Sequence, residues 1–227
     1  MMDARERMLG RLRAAAPLPT PQNAAALDQR ISHHYAGERP SAAERVDALE
    51  AALRASRAEV WRATSAQWPE QLAHRLAVHG ARRLLLDTAS MEGTALAAAL
   101  PEDIQATPFG QPLEAWKREL FDSVDAGFTV ARSGIAATGT LILAPDAGTP
   151  RTVSLVPPLH VALVYADTLH ATLYDAAQAE CWGDGMPTNL VLASGPSKTS
   201  DIQQTLAFGA HGPRWMWVII VTEEERP

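Results

Sequence analysis

The residues best suited to chemistry lie in Ser194-Gly195-Pro196-Ser197-Lys198-Thr199-Ser200-Asp201-Ile202 and, a few positions on, in His211-Gly212-Pro213. Gly195 permits close backbone approach, and the amides of such a loop can receive an anion. Ser197 offers a hydroxyl donor and Lys198 a positive charge. Ser200 and Gln203 are spaced as a capping box, with Asp201 in the first turn, where a negative charge suits the helix dipole. A helix is therefore expected from Ser200 to Gly209. That capped helix accounts for Ser200, Gln203 and Gly209 without any ligand; Gly195, Ser197, Lys198 and His211 are left over. His211 either bonds the last carbonyls of the helix or works as an acid-base group, and no carboxylate partner for it can be named. A second candidate stretch is Gly134-Ile135-Ala136-Ala137-Thr138-Gly139-Thr140. Its small residues and its hydroxyls at Thr138 and Thr140 suit a tight turn approached by a ligand or by another backbone.

Other chemistries lack their residues. Ser197, not Gly, precedes Lys198, so the loop is not a Walker A motif, and no Gly-x-Gly-x-x-Gly follows a strand. ATP and NAD are unsupported. His33, His34, His74, His79 and His170 show no i, i+4 pair with a nearby carboxylate, so no histidine metal site is expected. Cys181 is the single cysteine, which leaves neither a disulfide framework nor the thiolates of an iron-sulfur cluster. A net charge of -6 without a dense Lys/Arg run argues against nucleic acid as the main partner. No stretch approaches the ~20 apolar residues of a membrane span, and a soluble cytoplasmic protein is expected.

The elements that must position these stretches follow from apolar spacing. Residues 2 to 14 suit a helix, and Pro17, Pro19 and Pro21 then break the pattern in an extended segment. Ser41 and Glu44 form a capping box ahead of Val46, Leu49 and Leu53 at helical spacing. Short strands are expected at 60–63, 84–87, 104–109, 128–130, 140–143, 153–156, 161–164, 190–193 and 215–221. Helices are expected at 71–79, ended by Gly80, and at 95–100, 112–121 and 169–178. Trp215 and Trp217 alternate on the last strand and share a face, as core or as a subunit contact. The whole reads as an N-terminal helical arm, 1–59, and an α/β domain, 60–227, with a sheet covered on both faces. Residues 190–221 would form a βαβ unit whose loop points to the carboxyl edge of the sheet, where function usually sits.

In order and spacing, Ala136-Ala137-Thr138-Gly139-Thr140, Arg151-Thr152-Val153-Ser154-Leu155-Val156-Pro157, Gly195-Pro196-Ser197-Lys198-Thr199-Ser200-Asp201-Ile202 and Gly209-Ala210-His211-Gly212-Pro213 resemble the lactate-utilisation protein C, or LUD-domain, family. The resemblance covers roughly the C-terminal half. It implies a three-layer, Rossmann-like mixed-sheet α/β fold similar to the ribose-phosphate isomerase, glucosamine-phosphate deaminase and CoA-transferase group. It also implies a cytoplasmic role in oxidising L-lactate to pyruvate as the component without iron-sulfur clusters, those clusters being held by partner proteins. No cofactor or metal is expected in this chain. Family members usually carry Glu where Ala137 stands, so acyl chemistry by analogy with CoA transferases lacks its carboxylate here. The ligand-binding candidates are Thr138, Gly139, Thr140, Arg151, Gly195, Ser197, Lys198 and His211. Two function classes remain: a complex subunit that binds a small carboxylate, another anion or a partner protein, and a stand-alone enzyme acting on a small phosphorylated or CoA-linked substrate.

Overall fold

The structure, a computed structural model, describes residues 3–15, 21–37, 39–200 and 206–222. The chain forms two compact units, 1–39 and 40–227. The first unit contains α1 (Ala4–Ala15) and α2 (Pro21–His34). Pro21, expected in an extended breaker, instead opens α2, because its missing N–H costs nothing in a first helical turn.

The second unit begins with α3 (Ala42–Ala55), which the sequence reading grouped with the arm. Its capping box forms as its spacing requires: the Glu44 N–H donates to Ser41 Oγ at 3.2 Å, and the Ser41 N–H donates to Glu44 Oε2 at 2.7 Å. These bonds hold the Glu44 carboxyl below its ordinary range. Val46, Leu49 and Leu53 are buried, and full burial of each leucine is worth roughly 1.5–3 kcal/mol. The chain continues through β1 (Glu59–Ala63), α4 (Trp68–His79), β2 (Arg83–Leu85), α5 (Met91–Ala99), β3 (Gln105–Thr107), α6 (Leu113–Ser123) and β4 (Ala126–Val130). Then come β5 (Ser133–Ile135), β6 (Thr140–Leu143), α7 (Thr152–Leu155), β7 (Leu159–Tyr165), β8 (Leu169–His170) and α8 (Leu173–Ala179). The described chain ends with β9 (Val191–Ala193), β10 (Lys198–Ser200), β11 (Leu206–Phe208) and β12 (Trp215–Val221).

Six strands form a wholly parallel sheet in the order β1-β12-β7-β4-β2-β3. Its central strands β12, β7 and β4 are largely buried on both faces because both faces are covered. From β12, Trp217, Ile219 and Val221 pack with Trp61, Leu72, Leu76 and Phe128 under α4. Met216, Val218 and Ile220 face the other way, against Leu49 and Leu53 of α3 and Leu141 and Leu143 of β6. A second, four-stranded sheet of order β8-β5-β6-β9 carries the antiparallel pairs β5/β6 and β6/β9. The fold is thus mixed α/β around a mostly parallel sheet with helices on both sides.

Two expected elements outside residues 190–221 differ. Residues 153–156, apolar enough for a strand, form the short helix α7, closed by the Val156 N–H donating to the Thr152 carbonyl at 3.0 Å. A run of four cannot be assigned from its periodicity. The helix expected over 169–178 starts only at Leu173, where Thr172 and Asp175 form a reciprocal cap, and Leu169–His170 is instead the strand β8. Among the described residues no helix is long and apolar enough to cross a membrane.

Candidate functional site

The segment from Leu190 onward does not make a βαβ unit. Its strand β9 pairs antiparallel with β6, with Ala193 opposite Leu141, and so belongs to the smaller sheet. The residues expected to begin and end a helix pair as a hairpin, Lys198 opposite Phe208 and Ser200 opposite Leu206. Asp201, Ile202 and Gln203, on which the capping argument rested, lie outside the described residues. Two backbone bonds close the base of this hairpin: the Ser197 N–H donates to the Pro213 carbonyl at 2.8 Å, and the Gly209 N–H donates to the Ser197 carbonyl at 3.0 Å. They draw the 194–197 loop beside 211–213, at the amino ends of β7 and β12. The expected position at the carboxyl edge is therefore corrected.

Both candidate stretches are shaped by the same helix. Gly139 has φ 62°, and a Cβ there would stand 2.7 Å from Ala52 Cβ and 2.8 Å from the Leu53 nitrogen of α3. Gly195 has φ 141°, and its Cβ would stand 2.9 Å from the Ser56 carbonyl oxygen at the end of α3. The close neighbour that the small residues anticipated is another backbone at both places. Hydroxyls then join the two stretches: Thr138 Oγ1 to Thr140 Oγ1 at 2.7 Å, and Thr140 Oγ1 to Ser194 Oγ at 2.7 Å.

Ser194 and Gly195 stand between two cavities. The inner one, of about 200 Å³, is lined among others by Ser154, His160, Ser194, Ser197, His211 and Met216. The outer one, of about 430 Å³, is lined by Ser56, Arg57, Ser194, Lys198 and Phe208 together with apolar groups. Among the described residues its lining contains two cations and no carboxylate. Ser197 and His211 thus meet in the inner cavity, while Lys198 faces the outer one and Gly195 borders both. Thr138, Gly139 and Thr140 line neither, and Thr140 reaches the cavities only through Ser194. Arg151 stands apart, exposed at the start of α7, where its carbonyl accepts the Ser154 hydroxyl at 3.1 Å.

From sequence His160, like His211, suits a structural bond better than acid-base work, yet it lines the inner cavity. It is only 2 % exposed, on β7, with Nε2 2.9 Å from Thr129 Oγ1. Burial pushes its pKa down to about 4, so at neutral pH the ring is uncharged and can both donate and accept. The available signal was a histidine inside a strand that is otherwise apolar on both faces. Ser194 was within the singled-out stretch yet not among its candidates, because its partner Thr140 is 54 positions away. Among the described residues no group of three His, Cys, Asp or Glu side chains is placed to hold a metal ion.

The LUD domain matches residues 46–221, taking in most of α3 and the residues named in both cavities. The chain belongs to the LUD-domain family. Over nearly its full length the chain is similar to an uncharacterised protein of Neisseria meningitidis serogroup B, 38% identical over 225 residues, 97% of this chain and 94% of that one. Lactate utilization protein C of Shouchella clausii is 33% identical over 109 residues, covering 47% of this chain and 48% of the relative. The protein of that name from Deinococcus radiodurans is 38% identical over 104 residues, covering 44% and 48%. The matches to these two proteins span just under half of their length. The fold of this LUD protein also matches a crystal structure of a DUF162 family protein from Deinococcus radiodurans, with TM-score 0.58 and 25% identity over 81% of this chain and 99% of that one.

Proposed function

We propose that this LUD protein is a cytoplasmic component of an L-lactate utilisation system and binds a small 2-hydroxy carboxylate in the inner cavity. The observation that carries the reading is the likeness of nearly half the chain to proteins named lactate utilization protein C, combined with a small cavity in whose largely apolar lining serine hydroxyls and two imidazoles are set. A 2-hydroxy acid presents carboxylate acceptors and one hydroxyl. The hydroxyls of Ser194 and Ser197 donate to the carboxylate, and the uncharged His160 ring accepts from or donates to the hydroxyl. His211, exposed at the rim, supplies a second imidazole. The neutral state of His160 suits recognition by hydrogen bonding more than charge pairing. The two electrons released when lactate is oxidised to pyruvate pass, in this reading, to iron-sulfur clusters held by partner proteins, since Cys181 alone cannot supply the ligands of one.

The test is deletion in the native host, with growth on L-lactate, alongside affinity purification of the tagged chain. Loss of growth on lactate but not on pyruvate, with iron-sulfur proteins co-purifying, supports the reading. Intact lactate growth and recovery of the protein alone would sink it. At the level of the ligand, titration calorimetry should show L-lactate bound by the native chain and weakened about tenfold by His160→Phe, the loss of one well-formed hydrogen bond in a desolvated site.

A further inference from the structure

The outer cavity has its own chemistry, independent of the lactate reading. The end of α3 is a Schellman motif: the Ala58 N–H donates to the Leu53 carbonyl at 3.0 Å, and the Arg57 N–H donates to the Arg54 carbonyl at 2.9 Å. This places Arg57 at the left-handed position, with φ 68°. Glycine, then asparagine, is the residue that position favours, so the backbone gives no reason for an arginine there. The guanidinium is held over the ring of Phe208, with Cζ 4.8 Å from its centroid, at the edge of the cavity. An arginine near a helix C-terminus is favoured by the helix dipole. That benefit does not explain Lys198, which comes from β10 in a different part of the chain and lines the same cavity. Two cations therefore converge with the hydroxyls of Ser56 and Ser194, on a chain whose net charge is -6. The negative end of α3 opposes an anion, but the motif occupies the carbonyls of Leu53 and Arg54.

We propose that this cavity is a binding site for a phosphorylated small molecule, its phosphoryl group held by Arg57 and Lys198. Two cations with no carboxylate among the described lining residues suit a dianion better than a monocarboxylate, and a guanidinium fixed on an aromatic ring presents its donor fork in one plane. The cavity has about twice the volume of the inner one, and Ala55, Leu192, Pro196 and Phe208 give the organic remainder an apolar wall.

Titration calorimetry of the full chain with inorganic phosphate, glycerol 3-phosphate and acetate tests the site. Both phosphates should bind, and acetate should bind at least about tenfold more weakly. Arg57→Asn removes the charge while keeping a residue that tolerates the left-handed backbone, so the variant should fold with an unchanged circular dichroism spectrum. It and Lys198→Gln should each weaken glycerol 3-phosphate about tenfold, and Arg57→Lys, which keeps the charge but loses the stacked fork, should bind more weakly than the native chain and more tightly than Arg57→Asn. Lack of phosphate binding, binding indifferent to both charge removals, or acetate binding as tightly as phosphate overturns the proposal. So does a site that takes inorganic phosphate but refuses glycerol 3-phosphate. L-lactate titrated into the same variants separates the two readings, because lactate binding in the inner cavity should survive Arg57→Asn and Lys198→Gln.

Discussion

Acidification should destabilise this protein through a single buried ring. His160 has an ordinary pKa of 6.5 when unfolded and about 4 when folded, because burial penalises its charged form. Between these values the unfolded chain binds a proton that the folded protein refuses, so stability rises with pH across the window and is lost as pH falls through it. Above 6.5 both states are neutral at this site, and below about 4 both are charged, so the loss levels off. At 1.36 kcal/mol per pKa unit the full loss is about 3 kcal/mol, of which about 2 has gone by pH 5. That is a large part of the ~5–15 kcal/mol that holds a domain together. Urea unfolding at pH 7.5 and pH 5 measures it directly, with His160→Gln as the comparison, since the amide can still bond Thr129 but does not titrate. The native chain should lose about 2 kcal/mol more than the variant between those pH values. Asp146 and Glu44 do not confuse the measurement. Backbone N–H bonds, from Thr149 to Asp146 and from Ser41 to Glu44, hold these carboxyls below their ordinary values of 3.8 and 4.5, so their contributions are lost only at lower pH. Equal losses in the native chain and in His160→Gln would refute the account of His160.

Two further outcomes follow from the backbone. Gly139→Ala adds a Cβ at φ 62° into α3, whereas Gly80→Ala meets a positive φ of 83° with nothing within 4 Å; the first should cost roughly 2–5 kcal/mol and the second about 1–2 by chemical denaturation, and equal costs would remove the argument for close approach. Ser41→Ala should cost about 1 kcal/mol through loss of the α3 cap, detected as a lower urea midpoint at unchanged slope.

How much of this was legible in the chain differs by level. The Ser41/Glu44 box and Gly80 could be read because a cap is a local signal, complete within three or four residues. The strands β7 and β12 could be read because burial on both faces leaves an unbroken apolar run. The hairpin of β10 and β11 could not, since Ser200 and Gln203 carry a capping pattern, while the pairing of Lys198 with Phe208 is a contact between residues ten apart that no local rule encodes. Likewise Val153-Ser154-Leu155-Val156 has a strand's composition, but Gly127 lets the Val153 carbonyl come so close that a Cβ there would stand 2.0 Å from it, and one helical turn lies against β4. At the site, Ser197 and His211 were legible as residues unexplained by structure. Arg57 was not, because an arginine at a helix end becomes unusual only once its φ is known.

The strand order carries a consequence for how the chain is made. β1 lies at the sheet's edge, and its parallel partner is β12 alone. Ala63 and Trp215 are about 150 residues apart, so at a synthesis rate of about 5–20 residues per second β1 waits roughly 8–30 s for its neighbour. During that interval Val60 and Trp61, buried in the finished fold, have no strand beside them. Pairing so distant in sequence is also slow once the chain is whole. Until β12 arrives, β1 is thus an unpaired strand of the kind that pairs with other chains, and a nascent chain released before β12 carries it exposed.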